Sequence, residues 1–302
     1  MTRARGLALM IAAPVLWSTA GVVTRHVERA SAFELVFWRS FFAFVFVALA
    51  LLVLRKNPLR AGWPGLLSGA LWALMFTAFM IALTLTSTAN TLVVMSTAPV
   101  LTTLLAALVL RDPVPLGTWI AAGGAALGIA WMFGANFGAH SARDAAGMLV
   151  AASVPCASAI NVVTLRANAG QVDLRPAVML GGALSCLVAL PFALPLQASG
   201  RDISLLAFLG VFQLGLPCML LVAASRVLLA PEIALIGLLE VVLGPVWSWL
   251  GANERPATTT VVGGLIVLGA LLLNQLAAVN RARGRNARTC ALAASPTTNP
   301  RR

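Results

Sequence analysis

The chain has 302 residues, of which 60% are hydrophobic and only 10% are charged, whereas an ordinary soluble domain has about 25% charged residues. The net charge of +12 would suggest a nucleic-acid partner if the basic residues were clustered, but they lie singly or in small groups between long uncharged runs. The composition therefore excludes an ordinary soluble protein and nucleic-acid binding, and it predicts a chain that resides in the lipid bilayer.

Ten apolar runs are long enough to cross a membrane, since a helix needs about 20 mostly apolar residues to span the bilayer core. A bilayer admits only helices and closed barrels, and these runs are too long and too uniformly apolar for barrel strands. The sequence therefore predicts an all-α integral membrane protein with ten transmembrane helices. In chain order the predicted spans are Gly6–Thr24, Leu35–Leu54, Gly65–Leu85, Ala89–Leu110, Leu116–Gly134, Ala145–Leu165, Pro176–Leu196, Ile203–Ser225, Ile233–Leu250 and Ala257–Ala278.

The first span and the turn between the third and fourth spans are less evident from the sequence than the other boundaries. Residues 1–20 have a basic start and an apolar stretch, as in a signal peptide, but the apolar run continues through Val23, so we expect a retained first span. No charge occurs from Ala61 to Leu110. The polar stretch Thr84–Asn90 within this region is predicted to be the turn between the third and fourth spans.

The distribution of basic residues predicts the orientation in the membrane. With the N-terminus inside, 15 of the 21 lysines and arginines lie on the inner side, five lie on the outer side, and Arg39 lies within span two. Positively charged loops stay in the cytoplasm, so both termini are predicted to be cytoplasmic in a multi-pass protein of a bacterial inner membrane. The basic tail 279–302 is expected to be disordered and to face lipid headgroups.

The two halves of the chain resemble each other at an offset of 140–142 residues. The repeat aligns Pro14 with Pro155, and Val22-Val23-Thr24 with Val162-Val163-Thr164. Five spans per repeat is an odd number, so the second copy must enter the membrane from the opposite side, as in secondary transporters with inverted repeats. We therefore predict two five-helix repeats, 1–134 and 145–278. An old duplication kept for packing alone is the alternative.

Several short motifs resemble those of a known family. They are Trp17-Ser18 in span one, Arg39 in span two, Ala98-Pro99-Val100 in span four, Leu239-Glu240 in span nine and Gly251-Ala252-Asn253-Glu254-Arg255-Pro256 after it. Together with the ten-span plan, they resemble the EamA-type drug/metabolite transporter superfamily over residues 6–278. The chain departs from that pattern at Val241, where members commonly have Pro, and at Arg111-Asp112, where they commonly have Gly-Glu.

This resemblance implies a secondary transporter that works by alternating access. Within the family the chain is similar to a branch of bacterial amino-acid exporters, which implies export of amino acids, neutral and aromatic ones included. Drugs or other metabolites, such as nucleosides, sugars and cations, are the alternative substrates. The sequence contains no GxxxxGK[ST] phosphate loop, so nothing in it indicates coupling to a nucleotide.

Two ionisable residues within the predicted spans are candidates for a transport site, because a charge at this depth is costly and is usually retained for function. Glu240 lies eight residues into its uncharged run, and Gly237 and Gly244 lie on the same helical face. That face either admits a close neighbouring helix or opens into a cavity, so Glu240 binds protons or substrate, or is structural. Arg39 either extends to the headgroups, attracts an anionic substrate group, or pairs with Glu34 or Glu240.

Other candidate substrate-binding residues follow from polar stripes and from proline. Ser158, Asn161 and Thr164 share a helical face in span six, Gly210, Gln213 and Pro217 in span eight, and Ser96, Pro99 and Thr103 in span four. Pro99 removes one helical hydrogen bond, so span four is predicted to kink and expose a carbonyl. Trp17 and Met95 are expected to form an apolar wall. Helix–helix packing is the alternative role for all of these residues, and GxxxG at Gly124–Gly128 predicts a close helix contact, internal or at a dimer face.

Few residues could support catalysis or metal binding. The four aspartates fall in loops or at span ends, the two histidines fall in predicted loops, and the four cysteines have no CxxC spacing. We therefore expect no enzyme activity, no metal and no cofactor, with a channel or a membrane-embedded enzyme as the alternatives from other classes. The expected partners are a small-molecule substrate and lipid, with the chain acting as a monomer or a homodimer.

Overall fold

The computed structural model describes residues 2–55, 62–110, 141–168, 172–228 and 230–259, together with shorter stretches between 116 and 131 and between 261 and 273. Throughout these residues, all regular secondary structure is helical, as predicted. The predicted fifth span, Leu116–Gly134, lies largely outside the described residues, as do the end of the tenth span and the basic tail. The helices are α1 (Arg3–Trp17), α2 (Ala20–Thr24), α3 (Ala32–Val53), α4 (Gly62–Leu85), α5 (Thr88–Met95), α6 (Ala98–Leu110), α7 (Ala142–Ala167), α8 (Arg175–Ala193), α9 (Gly200–Phe208), α10 (Leu216–Ala224) and α11 (Ala230–Ala252).

Seven helical stretches in the described residues are long and apolar enough to cross a membrane. Many large apolar side chains on them face outward; Leu52 is 72% exposed and Leu108 is 78% exposed. Such a surface is stable against lipid and not against water. The chain is therefore a multi-pass membrane protein. The seven stretches are Arg3–Thr24, Ala32–Val53, Gly62–Leu85, Thr88–Val109, Ala142–Leu165, Arg175–Ala193 and Gly200–Ala224, and shorter apolar helices cover Leu239–Ala252 and Val261–Ala270.

Hydroxyl caps determine where several helices begin. Ser31, Ser87 and Ser199 each accept a hydrogen bond from the backbone amide three residues later, which satisfies one of the free donors at a helix N-terminus. Ser87 caps α5 directly after α4 ends at Leu85, so the turn predicted within Thr84–Asn90 is confirmed. Helix α8 ends at Ala193, three residues before the predicted boundary, because Pro195 cannot donate to a continuing helix.

Close packing joins the first and second halves of the chain. Helix α3 runs antiparallel to α8, because Ser40 lies beside Ser185 while Glu34 contacts Gln197. A Cβ atom built on Gly182 would lie 3.1 Å from the Phe44 amide nitrogen, so only glycine allows this approach without a shift. Helix α4 packs against both α7 and α8. The bundle core therefore lies between the halves and not within either one.

Three membrane-spanning stretches depart from regular α-helix. The first is interrupted at Ser18-Thr19 and the fourth at Ser96-Thr97, and in all four residues the hydroxyl donates to the carbonyl three residues back. The interruption in the fourth span falls just before Pro99, as predicted from its missing amide hydrogen. In the third case, residues Leu209–Gly215 form a π-helix between α9 and α10.

The predicted glycine contact in the fifth span is also found. A Cβ built on Gly124 would lie 2.6 Å from the Cβ of Ala270, so this glycine faces the tenth predicted span within the same chain. Of the two readings of the GxxxG motif, the structure therefore favours an internal helix contact at Gly124.

Candidate functional site

A cavity of about 180 Å³ lies between the helices, while a single water needs only about 10–15 Å³ on the same measure. Its walls come from α1, α3, α4, α5, α6, α7, the π-helix, α10 and α11, and therefore from both halves of the chain. The walls are mostly apolar, and Met10, Met75 and Met95 contribute flexible thioethers that adapt to ligands of different shape. Six of the seven predicted site residues line this one cavity: Trp17, Arg39, Met95, Asn161, Gln213 and Glu240.

Arg39 is held in the interior of the bundle and does not extend to the membrane surface. It is 2% exposed, its Nε donates to Gln213 Oε1 at 3.0 Å, and its Nη1 donates to the Phe76 carbonyl at 3.3 Å. The guanidinium also lies 5.6 Å from the centroid of the Phe79 ring, within cation–π range. The predicted extension to the headgroups is wrong, because α3 directs this side chain toward α4 and the π-helix.

The predicted pairing of Arg39 with Glu34 is also wrong. Glu34 lies at the start of α3 and accepts hydrogen bonds from the Gln197 and Ala198 amides and from the Trp38 indole. These donors satisfy the Glu34 carboxylate, and Glu34 lies more than one helical turn away from Arg39. The cation therefore reaches the cavity without a carboxylate bound to it among the described residues.

Gln213 positions Arg39. Its Oε1 accepts from the guanidinium, and its Nε2 donates to the Trp17 carbonyl at 3.2 Å. The π-helix positions this amide. The Leu216 amide donates to the carbonyl of Val211, five residues back, and the next residue, Pro217, has no amide hydrogen with which to restore the α-helical pattern. Single-turn π-helices are frequent at functional sites.

Glu240 lines the cavity wall formed by α11 and faces open space. A Cβ built on Gly237 would meet nothing within 4 Å, whereas one on Gly244 would lie 2.2 Å from Leu92. Both alternatives predicted for this face are therefore realised, an open cavity on one side of Glu240 and a close helix on the other. No hydrogen bond or ion pair joins its carboxylate to any described residue, so it is available to a ligand.

Two other predicted residues have different outcomes. Asn161 is 1% exposed and its Oδ1 accepts from Ser68 Oγ at 2.6 Å, so it links α7 to α4 as well as lining the cavity. Thr164, on the same predicted stripe, is turned away and donates to the Ile160 carbonyl. The side chain of Pro99 lies outside the described residues, although its backbone belongs to α6.

Comparison with known proteins assigns one half of the chain. Residues 4–134 match the EamA-like transporter family. The family resemblance predicted from the short motifs is thereby confirmed for the first half, and this EamA-like half contributes Trp17, Arg39 and Met95 to the cavity. The second half contributes Asn161, Gln213 and Glu240.

A protein of known crystal structure resembles the whole chain. It superposes with a TM-score of 0.69 over 92% of this chain and 99% of its own, at 20% sequence identity. At this identity the likeness establishes the fold alone. A search of curated proteins found no match.

The EamA-like half also contributes an aromatic wall that was not predicted from the sequence. Trp72, Phe76 and Phe79 line the cavity from one face of α4, and the first two rings lie 5.4 Å apart. Trp72 is 2% exposed, and its indole nitrogen has no hydrogen-bond partner among the described residues. A buried donor without a partner is costly, so a ligand that accepts this hydrogen bond would be stabilised. The missed signal was the i, i+4, i+7 aromatic spacing, which also suits a lipid-facing helix.

The cavity offers no arrangement suited to a metal. Within the part of the chain that the structure describes, no three His, Cys, Asp or Glu side chains lie close enough together to hold an ion. The polar side chains that line the cavity include the Arg39 guanidinium, the Glu240 carboxylate and the amides of Asn161 and Gln213, groups that can bind organic molecules through hydrogen bonds and charge.

Proposed function

We propose that the protein is a secondary transporter that exports small metabolites, most of all amino acids, across a bacterial inner membrane by alternating access. The observation that carries this proposal is the cavity between the two halves, which has a cation on one wall and a free carboxylate on another. Arg39 and Glu240 are the two charged residues among those that line it.

We further propose that the fold consists of ten transmembrane helices in two inverted repeats. Two equivalent close contacts, whose residues are separated by the repeat offset, support this arrangement. A Cβ on Gly69 would lie 2.6 Å from the Leu180 side chain, and a Cβ on Gly210 would lie 2.6 Å from the Arg39 carbonyl. Gly69 and Gly210 are 141 residues apart, and so are Arg39 and Leu180, which matches the offset found in the sequence. The family match also ends at residue 134, where the first predicted repeat ends.

The interrupted helices support a transport site at the same place. Transporter sites are typically built from discontinuous helices, whose free backbone groups bind polar parts of the substrate. Here the cavity is lined by Trp17 at the end of α1, by Ser96 in the break of the fourth span and Ala98 directly after it, and by Gln213 in the π-helix. Each of these positions lies at a departure from regular helix.

The charges in the cavity favour a zwitterionic substrate. An amino acid carries a carboxylate, which the Arg39 guanidinium and the Trp72 indole N–H can bind by charge and hydrogen bonding. It also carries an ammonium group, for which the unpartnered Glu240 is the matching acceptor. Phe76, Phe79 and Met95 would then surround an apolar or aromatic side chain. Neutral amino acids satisfy all three requirements at once.

Counterflow into proteoliposomes tests this assignment. Vesicles loaded with unlabelled leucine or phenylalanine should accumulate the labelled amino acid, and the flux should saturate and be reduced by competing neutral amino acids. Empty liposomes are the blank. If none of the twenty amino acids competes while sugars, nucleotides or lipophilic cations do, the substrate class is wrong and the transporter remains. Flux that neither saturates nor shows competition would instead indicate a channel.

The predicted orientation is tested by labelling single cysteines in a cysteine-free protein. Pro58→Cys lies in a loop expected inside, and Ala142→Cys lies at the start of α7, expected outside. An impermeant thiol reagent added to intact cells should label the second protein and not the first. The reverse pattern would contradict cytoplasmic termini.

A further inference from the structure

Polar contacts between the two halves concentrate at one end of the helix bundle. We call this the latch end. It comprises the turn at 25–31 after α2, the segment 83–88 that joins the end of α4 to the start of α5, the turn at 194–199 with the start of α9, and Glu254 after α11. Hydrogen bonds connect every one of these segments to another.

Arg25 is the centre of the latch end. Its Nε donates to Glu254 Oε2 at 2.9 Å, its Nη1 donates to the Leu83 carbonyl at 3.0 Å, and its Nη2 donates to the Thr86 carbonyl at 3.1 Å. One side chain therefore connects the end of the first span, the end of the third, and the end of the ninth. Leu83 lies in the last turn of α4 and Thr86 follows the helix, and carbonyls at the C-terminus of a helix lack helical donors.

Glu254 completes the arrangement. Its carboxylate also accepts from the Thr88 amide at 2.6 Å and from the Thr88 hydroxyl at 3.0 Å. Glu254 belongs to the second half of the chain, whereas Arg25 and Thr88 belong to the first. The Glu254 carboxylate therefore joins the two halves through three hydrogen bonds and also places a negative charge at the N-terminus of α5, which the helix dipole favours.

Two further carboxylates make the same kind of contact across the halves. Asp202 accepts from the Glu28 amide at 3.1 Å and the Arg29 amide at 3.2 Å, and Glu34 accepts from the Ala198 amide at 2.8 Å. All three carboxylates bind backbone amides from the other half of the chain.

The opposite end of the bundle is organised differently. There Asp173 forms ion pairs with Arg175 and with Arg226, and all three residues belong to the second half. The cavity extends toward this end, since Met10 near the start of the chain and Ile233 in the first turn of α11 line it. The ion pairs Arg25–Glu254 and Arg201–Glu28 join the two halves at the latch end, while the lining of the cavity continues toward the opposite end.

From these contacts at the latch end we propose that Arg25, Glu254 and Thr88 form a gate that closes the substrate cavity there, and that its release exposes the cavity to that face of the membrane. The inference rests on the proposed transport function and identifies the groups that would control access to its site. The structure is then the state closed at the latch end.

Packing beneath the gate fits a contact that separates. A Cβ on Gly21 would lie 2.5 Å from both Ser248 and Thr88, so α2, α11 and α5 meet closely there. The hydroxyls of Thr24 and Ser248 are buried without hydrogen-bond partners among the described residues. Opening the gate would admit water to both hydroxyls, which offsets part of the cost of breaking the Arg25–Glu254 pair. The Arg25–Glu254 pair is itself weak, because its side chains are 32% and 19% exposed and water competes for them.

The test measures access to the cavity and does not depend on transport. In a cysteine-free protein, Ser158→Cys places a thiol on the cavity wall. An impermeant thiol reagent is added to the latch face of proteoliposomes of known orientation, and the labelling rate is followed. Glu254→Gln and Arg25→Gln should each raise that rate by about three- to tenfold relative to the unmodified gate.

A matched control uses the other ion pair at the same end. Arg201 and Glu28 also join the two halves at 2.9 Å, but their side chains are 62% and 68% exposed. Glu28→Gln should therefore leave the labelling rate unchanged. If Glu254→Gln and Glu28→Gln give the same rate as the parent, the gate assignment is overturned. Where Glu254→Gln does not fold, Thr88→Val, which removes one hydroxyl from the gate, should give a smaller rise in labelling.

Counterflow on the same vesicles separates the two proposals. Unchanged labelling with intact amino-acid counterflow would overturn the gate and leave the transport function standing. Faster labelling in Glu254→Gln, with no counterflow of any amino acid in the parent, would support the gate and overturn the substrate class.

Discussion

Glu240 lies on α11 and Glu254 lies in the turn that follows it, yet the two carboxylates differ in whether the protein supplies them with hydrogen-bond donors. At the latch end, Glu254 accepts from Arg25 and from two groups of Thr88. In the cavity, Glu240 has no partner among the described residues and faces the open space beside Gly237. A carboxylate satisfied by the protein holds two segments together, whereas one left unsatisfied can bind something that the protein does not contain.

The same contrast holds for the two arginines. Arg25 makes three hydrogen bonds to loop groups near the membrane surface, while Arg39 is 2% exposed and is positioned by Gln213 and the Phe76 carbonyl. The first arginine is placed to break its contacts when loops move. The second is held rigidly, which is what a binding site requires if its geometry is to be kept through many cycles.

The largest effect is expected from the cavity carboxylate. Glu240→Gln removes the negative charge without changing the shape of the side chain, so we expect transport of neutral amino acids to fall more than about tenfold. The purified protein should remain folded and monodisperse, because no hydrogen bond within the described residues is lost. Counterflow and size-exclusion chromatography check both expectations. A variant that transports with unchanged pH dependence would assign Glu240 no role; one that fails to fold would make it structural.

Replacement of Gln213 should affect both stability and transport. Gln213→Ala leaves the Arg39 Nε and the Trp17 carbonyl without their partner in the bundle interior, and a buried donor of this kind costs about 1–3 kcal/mol. We therefore expect a lower melting temperature together with weaker counterflow. From the sequence alone, Gln213→Ala and Trp17→Ala would each be expected to weaken transport and to leave the fold intact. Equal stability of Gln213→Ala and the parent protein would contradict the positioning role of the amide.

Trp72→Phe is expected to have a smaller and more selective effect. Phenylalanine keeps most of the ring area that packs on Phe76. It lacks the indole N–H, which has no hydrogen-bond partner among the described residues. Thermal stability should hardly change, and the half-saturation concentration for amino acids should rise about three- to tenfold, as for the loss of one hydrogen bond to a charged group. If counterflow is unaffected while stability falls, Trp72 belongs to the packing and not to the binding site.

The smallest effect concerns pH at the latch end. Burial by itself would raise the pKa of Glu254, but the hydrogen bond and charge of Arg25 and the two Thr88 donors outweigh it and hold that pKa below its usual value of 4.5. The ionised latch therefore adds stability above about pH 4.5 and loses it as the pH falls through the lowered pKa.

Thermal unfolding in detergent measures this contribution. The parent should melt on the order of 2 °C above Glu254→Gln at pH 7, and the difference should vanish at a pH well below 4.5 as the Glu254 carboxylate becomes protonated. A difference that persists at low pH would mean that the carboxylate charge does not stabilise the closed latch.

The sequence by itself determined the class of protein and the placement of most helices. Long apolar runs can only be helices in a bilayer, so spans predicted from hydropathy alone agree with α3, α4, α7 and α8 within a few residues. The break before Pro99 and the turn at Ser87 were also predictable, because they depend on a missing amide hydrogen and on a capping hydroxyl close in sequence.

Only the tertiary structure decided which polar groups face one another. Arg39 could have reached the headgroups, Glu34 or the interior, and its partner Gln213 lies 174 residues away on a π-helix that the sequence did not predict. The partner of Arg25 is 229 residues away, and the indole nitrogen of Trp72 is buried without a hydrogen-bond partner among the described residues. Helix formation depends on neighbours in the sequence, whereas a site between helices depends on their packing, and several packings are compatible with the same apolar pattern.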